Sequence, residues 1–549
     1  MAAPAEKRSY DVATQVEQLQ RVHSHILQRT RDLSSLPVAS TAAHIERCLA
    51  TLPAALPHDG LGLKETTTHL LDTVAPALMP GQAGPRCYGL VIGGITPAAQ
   101  FADQLVTAYD PCVQVHWPDK TASVALESLA LSYTLSLLSL SPTVFTHNTF
   151  TTGATASNIL GLSLGRDWTV ARIKHEQGFP DWSVPEDGFG GVEVDVFVAD
   201  AHASVRKAAA LAGIGRRNVI NLGDVEKEAN SLLVCFDLDK LEQRLSENMQ
   251  KSRASIVASS FGEVNTGGIN SDTPRLRELC DKYNAWLHID AAFGAFAILH
   301  PDFEPYTAHL SLGDSITSDA HKWLNVPYDA GLFFSRARPI PSSSLTASSV
   351  TTSLYDLTGP GSAAPAYLAS SSTSAGANTP YPLLEETKKL PSPLFMNIEN
   401  SRRFRALPIL ASLLCLGQSG YASLVQRNIS FARRIDAFLR SHPAYDVLTP
   451  SPSASSVEQE PFAFRVMNVV IFAPSAAAPS RFRLATADNP DPGAAFLGAL
   501  NETNEIFLTG SAWRGRKAVR LAVSNWGTEL EEGKEWAVVK RVLEQVMEE

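Results

Sequence analysis

The chain reads as an α/β protein: a large domain on a mostly parallel sheet, a helical N-terminal arm and a small C-terminal α/β domain. Three observations predict it. From about residue 85 to 338, short apolar runs alternate with helical patterns, which implies a sheet covered on both faces. Ahead of that stretch, Val16, Leu19, Val22 and Ile26 recur at three- and four-residue steps, as on one helix face. Behind it, two helical segments lead into further strand-like runs. At 549 residues, the chain is also too long for one small core.

Each element follows from its pattern. Residues 1–84 form the arm, with Pro53 and Pro57 breaking its helical run, and such an arm packs on another surface. Residues 85–394 form the large domain. There VEVDVFVAD, NVINLG, SIVASSF, AWLHID, SITSD and AGLFFSR read as strands. SNILGLSLGRDW, SVRKAAALAGI and TPRLRELCDKY read as helices. The part from about 339 to 394 is rich in Ser, Thr, Pro, Gly and Ala. It buries too little apolar area to offset its ordering entropy, so it is predicted to be a mobile loop. Residues 395–549 form the small domain. Its helices are RRFRALPILASLLCLG and YASLVQRNISFARRIDAFLRSH, its strands FRVMNVVIF and AVRLAVS, and APSAAAPSRFRLATADNPDPG is a surface insertion.

Composition narrows the function classes. Hydrophobic residues make up 44% and charged residues 19%, an ordinary globular balance. A net charge of −10 gives no electrostatic footprint for nucleic acid. Six scattered cysteines without a CxxC pair point to reduced thiols, with neither a disulfide frame nor a metal site expected. The N-terminus lacks the apolar core of a secretory signal, and no apolar run reaches the ~18 residues of a membrane span. The expected setting is cytoplasmic, away from membranes.

The chemistry concentrates in residues 314–334, DSITSDAHKWLNVPYDAGLFF. Lys322 falls in a short loop between two strand-like runs, beside Trp and Leu, a setting that favours a nucleophilic amine. Asp290 ends the strand-like run AWLHID. A lysine near a strand end is usually a solvated charge, and a strand-end aspartate often only caps a turn. Together they are what pyridoxal 5'-phosphate (PLP) needs. The amine forms a Schiff base with its aldehyde, and the carboxylate keeps its pyridine nitrogen protonated.

Three further stretches agree with that pair. TTGATASNILGL, residues 151–162, is a small-residue turn entering a helix, where Ala154 and Thr155 can meet a phosphate. In isolation it is a plain helix cap. DAHASVRKAAALAG sets His202 at a strand–helix junction, where an imidazole can stack on a flat ring or simply be structural. SSFGEVNTGGI leaves Thr266 in a Gly-rich loop able to bond a cofactor substituent, or to make an ordinary turn. The conjunction, in this chain order and each after a strand, is more specific than any one part.

The order and wording resemble the group II PLP-dependent amino-acid decarboxylases, which include aromatic-L-amino-acid, tyrosine, glutamate and 2,4-diaminobutyrate decarboxylases. DAHKWLNVPYD is similar to that family's lysine motif, HIDAAFGAF to its aspartate motif and DAHASVRKAA to its histidine motif. The resemblance implies the aspartate-aminotransferase type of PLP-dependent transferase fold and a homodimer with shared active sites. It also implies conversion of an L-amino acid to amine and CO2. It makes Lys322 the Schiff-base lysine, Asp290 the pyridinium partner and His202 the stacking residue. Ala292 lies under the ring, Ala154 and Thr155 hold phosphate, Thr266 contacts the cofactor, and Asp319 and His321 flank the lysine against it. A loop tyrosine donates the proton to the carbanion, Tyr367 in AAPAYL being the best match and Tyr355 the runner-up.

Substrate is less defined. Aromatic-specific members carry a His-Pro and paired-aromatic segment where this chain has CYGLVIGGITPAA, with Tyr88, Thr96 and Pro97. His116 and Trp117 follow and can line the pocket or pack in the core. An aromatic amino acid is the leading expectation, with acidic and diamino acids behind it. Oxidative decarboxylation to an aldehyde, another PLP carbon–carbon lyase, and a non-catalytic cofactor-binding scaffold are the competing readings.

Overall fold

The computed structural model describes residues 11–224, 233–338, 382–450 and 465–548. Two compact units are present, one of residues 91–436 and 447–471, the other of residues 1–90, 437–446 and 472–549.

The larger unit is built on seven strands, β1 His147–Thr151, β2 Val194–Val198, β3 Val219–Asn221, β4 Ala254–Ser260, β5 Trp286–Asp290, β6 Ser315–Asp319 and β7 Gly331–Ser335. They run in the order β1-β7-β6-β5-β4-β2-β3. The β3, β2, β4, β5 and β6 strands are mutually parallel, while β7 pairs antiparallel with β6 and β1. Every residue of β2, β4, β5, β6 and β7 is buried, so both sheet faces are covered, as their near-continuous apolar runs predict.

Strand alternation sorts the core into two layers. Val196, Ile256 and Trp286 point to one face and meet Leu160, Leu164 and Trp168 of the Ala154–Glu176 helix. Phe197, Val257 and Leu287 point to the other, beneath the Leu238–Gln250 and Thr273–Lys282 helices. Each of these fully buried side chains contributes roughly 1.5–3 kcal/mol of hydrophobic stabilisation. The Ala154–Glu176 helix sits very close to the sheet. A Cβ on Gly161 would lie 2.4 Å from the His288 ring, and one on Gly165 would lie 2.7 Å from the Trp286 ring.

Lys322 is in a single helical turn, Ala320–Trp323, rather than in the loop the sequence suggested. The turn forms because its neighbours are anchored. Ala320 N donates to Ala330 O, Trp323 Nε1 donates to Asn428 Oδ1, and Ala320 and Trp323 are fully buried. Gly93 packs against the same turn, where a Cβ would fall 2.2 Å from the Lys322 carbonyl oxygen.

The Ala406–Ser441 helix has a break at Gly417 (φ 58°), where the sequence pattern separates two helices. It is apolar and long enough for a membrane span, yet Ile409, Leu424, Val425 and Ile429 are buried within the protein.

The other unit holds the predicted arm helix, Val12–Asp32, started by Asp11, whose carboxylate accepts from Thr14 N. Most residues of a four-stranded sheet also fall in this unit; its order is β10-β11-β9-β8, with β8 Tyr445–Val447, β9 Val469–Pro474, β10 Thr509–Trp513 and β11 Arg516–Ala522. The Pro492–Glu502 and Lys534–Glu548 helices complete it. On the arm, Val12, Val16 and Leu19 remain exposed.

Candidate functional site

Alternation on β5 puts Trp286, His288 and Asp290 on one face, and on β6 it aligns Ser315, Thr317 and Asp319. Register pairs His288 with Ser315 and Asp290 with Thr317, so the two acidic residues close the C-terminal ends of adjacent parallel strands. In open α/β sheets that edge is where ligands bind.

The predicted residues converge there. The Asp290 carboxylate is buried, accepting at Oδ2 from Asn158 Nδ2 (2.9 Å) and at Oδ1 from Ala292 N (3.3 Å). Lys322 Nζ lies 3.2 Å from Asp319 Oδ2 and 5.8 Å from the centre of the Phe293 ring. Asp319 also accepts from Ala154 N (2.7 Å), while its own N donates to Ala292 O. One carboxylate thus ties the lysine to the positive end of the Ala154–Glu176 helix. His321 donates from Nδ1 to Ala330 O (2.9 Å) and packs on Tyr328, ring centres 4.4 Å apart. Burial lowers its basicity, an effect that Asp319 partly opposes. His202 caps the Ala203–Leu211 helix, its Nδ1 accepting from Ser204 N and lying 2.7 Å from Ser204 Oγ.

Two predicted contacts look different. Ala154 N–H is taken by Asp319, which leaves the next N–H groups of the first turn, including that of Thr155, for an anion. Thr266 is buried, but its hydroxyl donates to Glu263 Oε2 (2.9 Å) and accepts from Gly268 N (3.0 Å), within its own loop. Tyr367 and Tyr355 lie outside the described residues.

The donor set suits PLP. Lys322 is an amine for its aldehyde, Asp290 an anion for its ring nitrogen, and the helix start an electropositive seat for its phosphate. Thr317 Oγ1, opposite Asp290 in register, is buried without a partner among the described residues. A polar ligand at this strand edge would satisfy it.

Sequence reasoning missed the layer beneath. Asn158, Ser204, His288 and Ser315 bond to one another and to Asp290 and His202. The available signal was polar residues in phase with buried faces: His288 two before Asp290 on a strand, and Asn158 one helical turn after Ala154.

Comparison with known proteins agrees with the geometry. Acinetobacter baumannii L-2,4-diaminobutyrate decarboxylase is 27% identical over 312 residues, 56% of this chain; the chain spans about half (54%) of that enzyme's length. Arabidopsis thaliana tyrosine decarboxylase 2 is 23% identical over 508 residues, covering 89% of this chain and 79% of that protein. The fold matches that of Oryza sativa TDC, solved with PLP and tryptamine, at a TM-score of 0.74 and 19% identity over 100% of both chains. Residues 46–348, more than half the chain, match the pyridoxal-dependent decarboxylase conserved domain. With that match spanning Ala154, His202, Asp290 and Lys322, the chain belongs to the pyridoxal-dependent decarboxylases, carboxy-lyases that use PLP.

Proposed function

We propose that this protein decarboxylates an L-amino acid, releasing the amine and CO2, with Lys322 holding the cofactor covalently. The observation that carries this reading is the placement of Asp290 and the Asp319–Lys322 pair at the ends of adjacent parallel strands beside a helix N-terminus. When bound, PLP supplies an electron-withdrawing ring that takes up the charge left at Cα as CO2 departs.

The residues divide the remaining work. Asp290, held by Asn158, favours the protonated ring nitrogen, since an opposite charge stabilises a cation. His202 would stack on one face of the bound ring, with Ala292 on the other. The Ala154–Thr155 turn would hold the phosphate, and Thr266 would supply its loop's contact to the cofactor. Asp319 and His321 fix the lysine turn, and Asp319 keeps the free amine in place between turnovers. Tyr367 gives the proton to Cα, with Tyr355 as the alternative donor.

An aromatic amino acid is the first substrate to test, then diamino and acidic ones. The relatives named for tyrosine and for diaminobutyrate support testing both of those classes. A homodimer fits the exposed apolar residues Val12, Val16 and Leu19 of the arm and, in the larger unit, Phe101, Leu105 and Tyr109 on the Pro97–Tyr109 helix. A cytoplasmic setting is part of the same reading.

Borohydride reduction followed by peptide mass mapping tests it. An adduct at Lys322, lost in Lys322→Ala, is expected, and an adduct elsewhere or none overturns the assignment. Assaying CO2, amine and aldehyde with every proteinogenic amino acid and dihydroxyphenylalanine identifies the substrate. Aldehyde in place of amine would make it an oxidative decarboxylase.

A further inference from the structure

Beneath the site runs a buried chain of hydrogen bonds whose proton positions have a single solution. An indole N–H can only donate, and Trp286 Nε1 donates to Ser315 Oγ (2.9 Å). The Ser315 hydroxyl hydrogen is then free for His288 Nδ1, 2.8 Å away. With Nδ1 accepting, a neutral His288 carries its hydrogen on Nε2 and donates to Asn158 Oδ1 (2.9 Å). That fixes the Asn158 amide orientation. Its NH2 group donates to Asp290 Oδ2 (2.9 Å) and to Ser204 Oγ (3.2 Å). The flipped amide would set its oxygen against the carboxylate, two acceptors face to face. Ser204 passes its own hydrogen to His202 Nδ1 (2.7 Å), leaving the His202 proton on Nε2.

Asn158, His288 and Ser315 are 0% exposed and Trp286 is 1% exposed, so water does not compete for these bonds. Asn158, one turn into the Ala154–Glu176 helix, bonds to His288 and Asp290 of β5 and to Ser204 of the Ala203–Leu211 helix, and Gly161 leaves the clearance that lets the His288 ring lie under the helix.

We propose that Asn158 is a positioning residue that sets the Asp290 carboxylate and the His202 imidazole relative to each other. This rests on the reading of Asp290 and His202 as cofactor contacts. A single amide, oriented from Trp286 through Ser315 and His288, then aligns the group at the ring nitrogen with the group on the ring face. Asn158 touches neither substrate nor cofactor and acts through those two residues.

The test uses full-length protein stripped of cofactor. Asn158→Leu removes the amide at similar volume, and titration with PLP, followed by the absorbance band of lysine-bound cofactor, reads its affinity. The dissociation constant is expected to rise by about tenfold or more, in line with the effect of outer-shell partners elsewhere. Asp290→Asn should act in the same direction, and the Asn158→Leu/Asp290→Asn double variant should bind no worse than Asp290→Asn alone. An Asn158→Leu affinity within twofold of wild type, or effects that add, would overturn the proposal. A purely structural role would lower the melting temperature and add independently.

Nitrogen-15 histidine spectra of the wild-type protein without cofactor supply a second readout that needs no variant to fold. Both His288 and His202 should be Nε2–H tautomers. A His288 protonated on Nδ1 would refute the network. If wild-type protein takes up no PLP, the Lys322 assignment fails, and these tautomers still decide on Asn158.

Discussion

Gly161 allows the packing argument to be put to a number. The Gly161→Ala substitution adds one methyl group, which would sit 2.4 Å from His288 Cε1 and Nδ1. Non-bonded carbon contacts are comfortable at about 3.5–4.0 Å, so helix or ring must yield by about 1 Å. The ring is not free to yield, because Ser315 and Asn158 hold its two nitrogens at 2.8 and 2.9 Å. Forcing an extra methyl into a packed core costs about 1–3 kcal/mol. Weakening the two bonds adds about 1 kcal/mol each. Replacing a mid-helix glycine with alanine returns about 1 kcal/mol. The net expectation is a loss of about 2–4 kcal/mol, read as a lower urea midpoint for cofactor-free protein followed by circular dichroism. Gly498 gives the matched control: it lies in the Pro492–Glu502 helix with nothing within 4 Å of its would-be Cβ. Gly498→Ala should therefore stabilise its unit by about 0.4–1 kcal/mol. Gly161→Ala as stable as wild type, or both substitutions shifting stability in the same direction, would refute the reasoning.

Two other outcomes follow from buried charge. Glu127 accepts from Arg402 Nη1 (2.9 Å) and Nη2, with the side chains only 6% and 1% exposed. Glu127→Ala strands a buried guanidinium and should cost about 3–5 kcal/mol by chemical denaturation, whereas replacing both partners with apolar residues of similar volume should cost far less. Burial also holds the His288 imidazole down at about 4, against 6.5 for the free side chain, although Asp290 pulls the other way. Between those values the unfolded chain binds a proton that the fold excludes. The stability this group contributes is complete above about pH 6.5 and is lost as pH falls toward 4, by up to about 3 kcal/mol. Denaturation midpoints measured from pH 7 to 4 should fall accordingly, and His288→Gln should flatten that fall.

Much of the fold was written locally. The runs VDVFV, ASIVASS, WLHID and SITSD become β2, β4, β5 and β6, because a strand buried on both faces needs only a short, nearly unbroken apolar or small-residue run. Lys322 and Asp290 were legible for the same reason: each terminates such a strand or follows it, and strand ends are where a parallel sheet presents its chemistry. The lysine turn was not, since its helical geometry comes from Ala330 and from Asn428, more than a hundred residues along the chain. Tertiary anchoring of that kind leaves no local pattern.

The layer under Asp290 and His202 escaped for a related reason, and the reason explains what that layer does. His288 looked like any histidine in a strand until the β5–β6 register placed Ser315 beside it and the Ala154–Glu176 helix brought Asn158 over it. Each of these side chains alone would destabilise the core, because an unpaired buried polar group costs about 1–3 kcal/mol. In the folded chain each is satisfied by partners brought from other parts of the sequence, so the bonds form only as these elements come together. That mutual dependence is a means of precision. A carboxylate such as Asp290, held only by its own rotamer, could turn at its strand end with little penalty. Bonded to Asn158, it can turn only by breaking its hydrogen bond to the amide, which is itself held by a histidine anchored on a serine that accepts from an indole. The rigidity of the sheet and helix is thereby delivered to one oxygen atom, the one that the proposed function sets against the cofactor nitrogen.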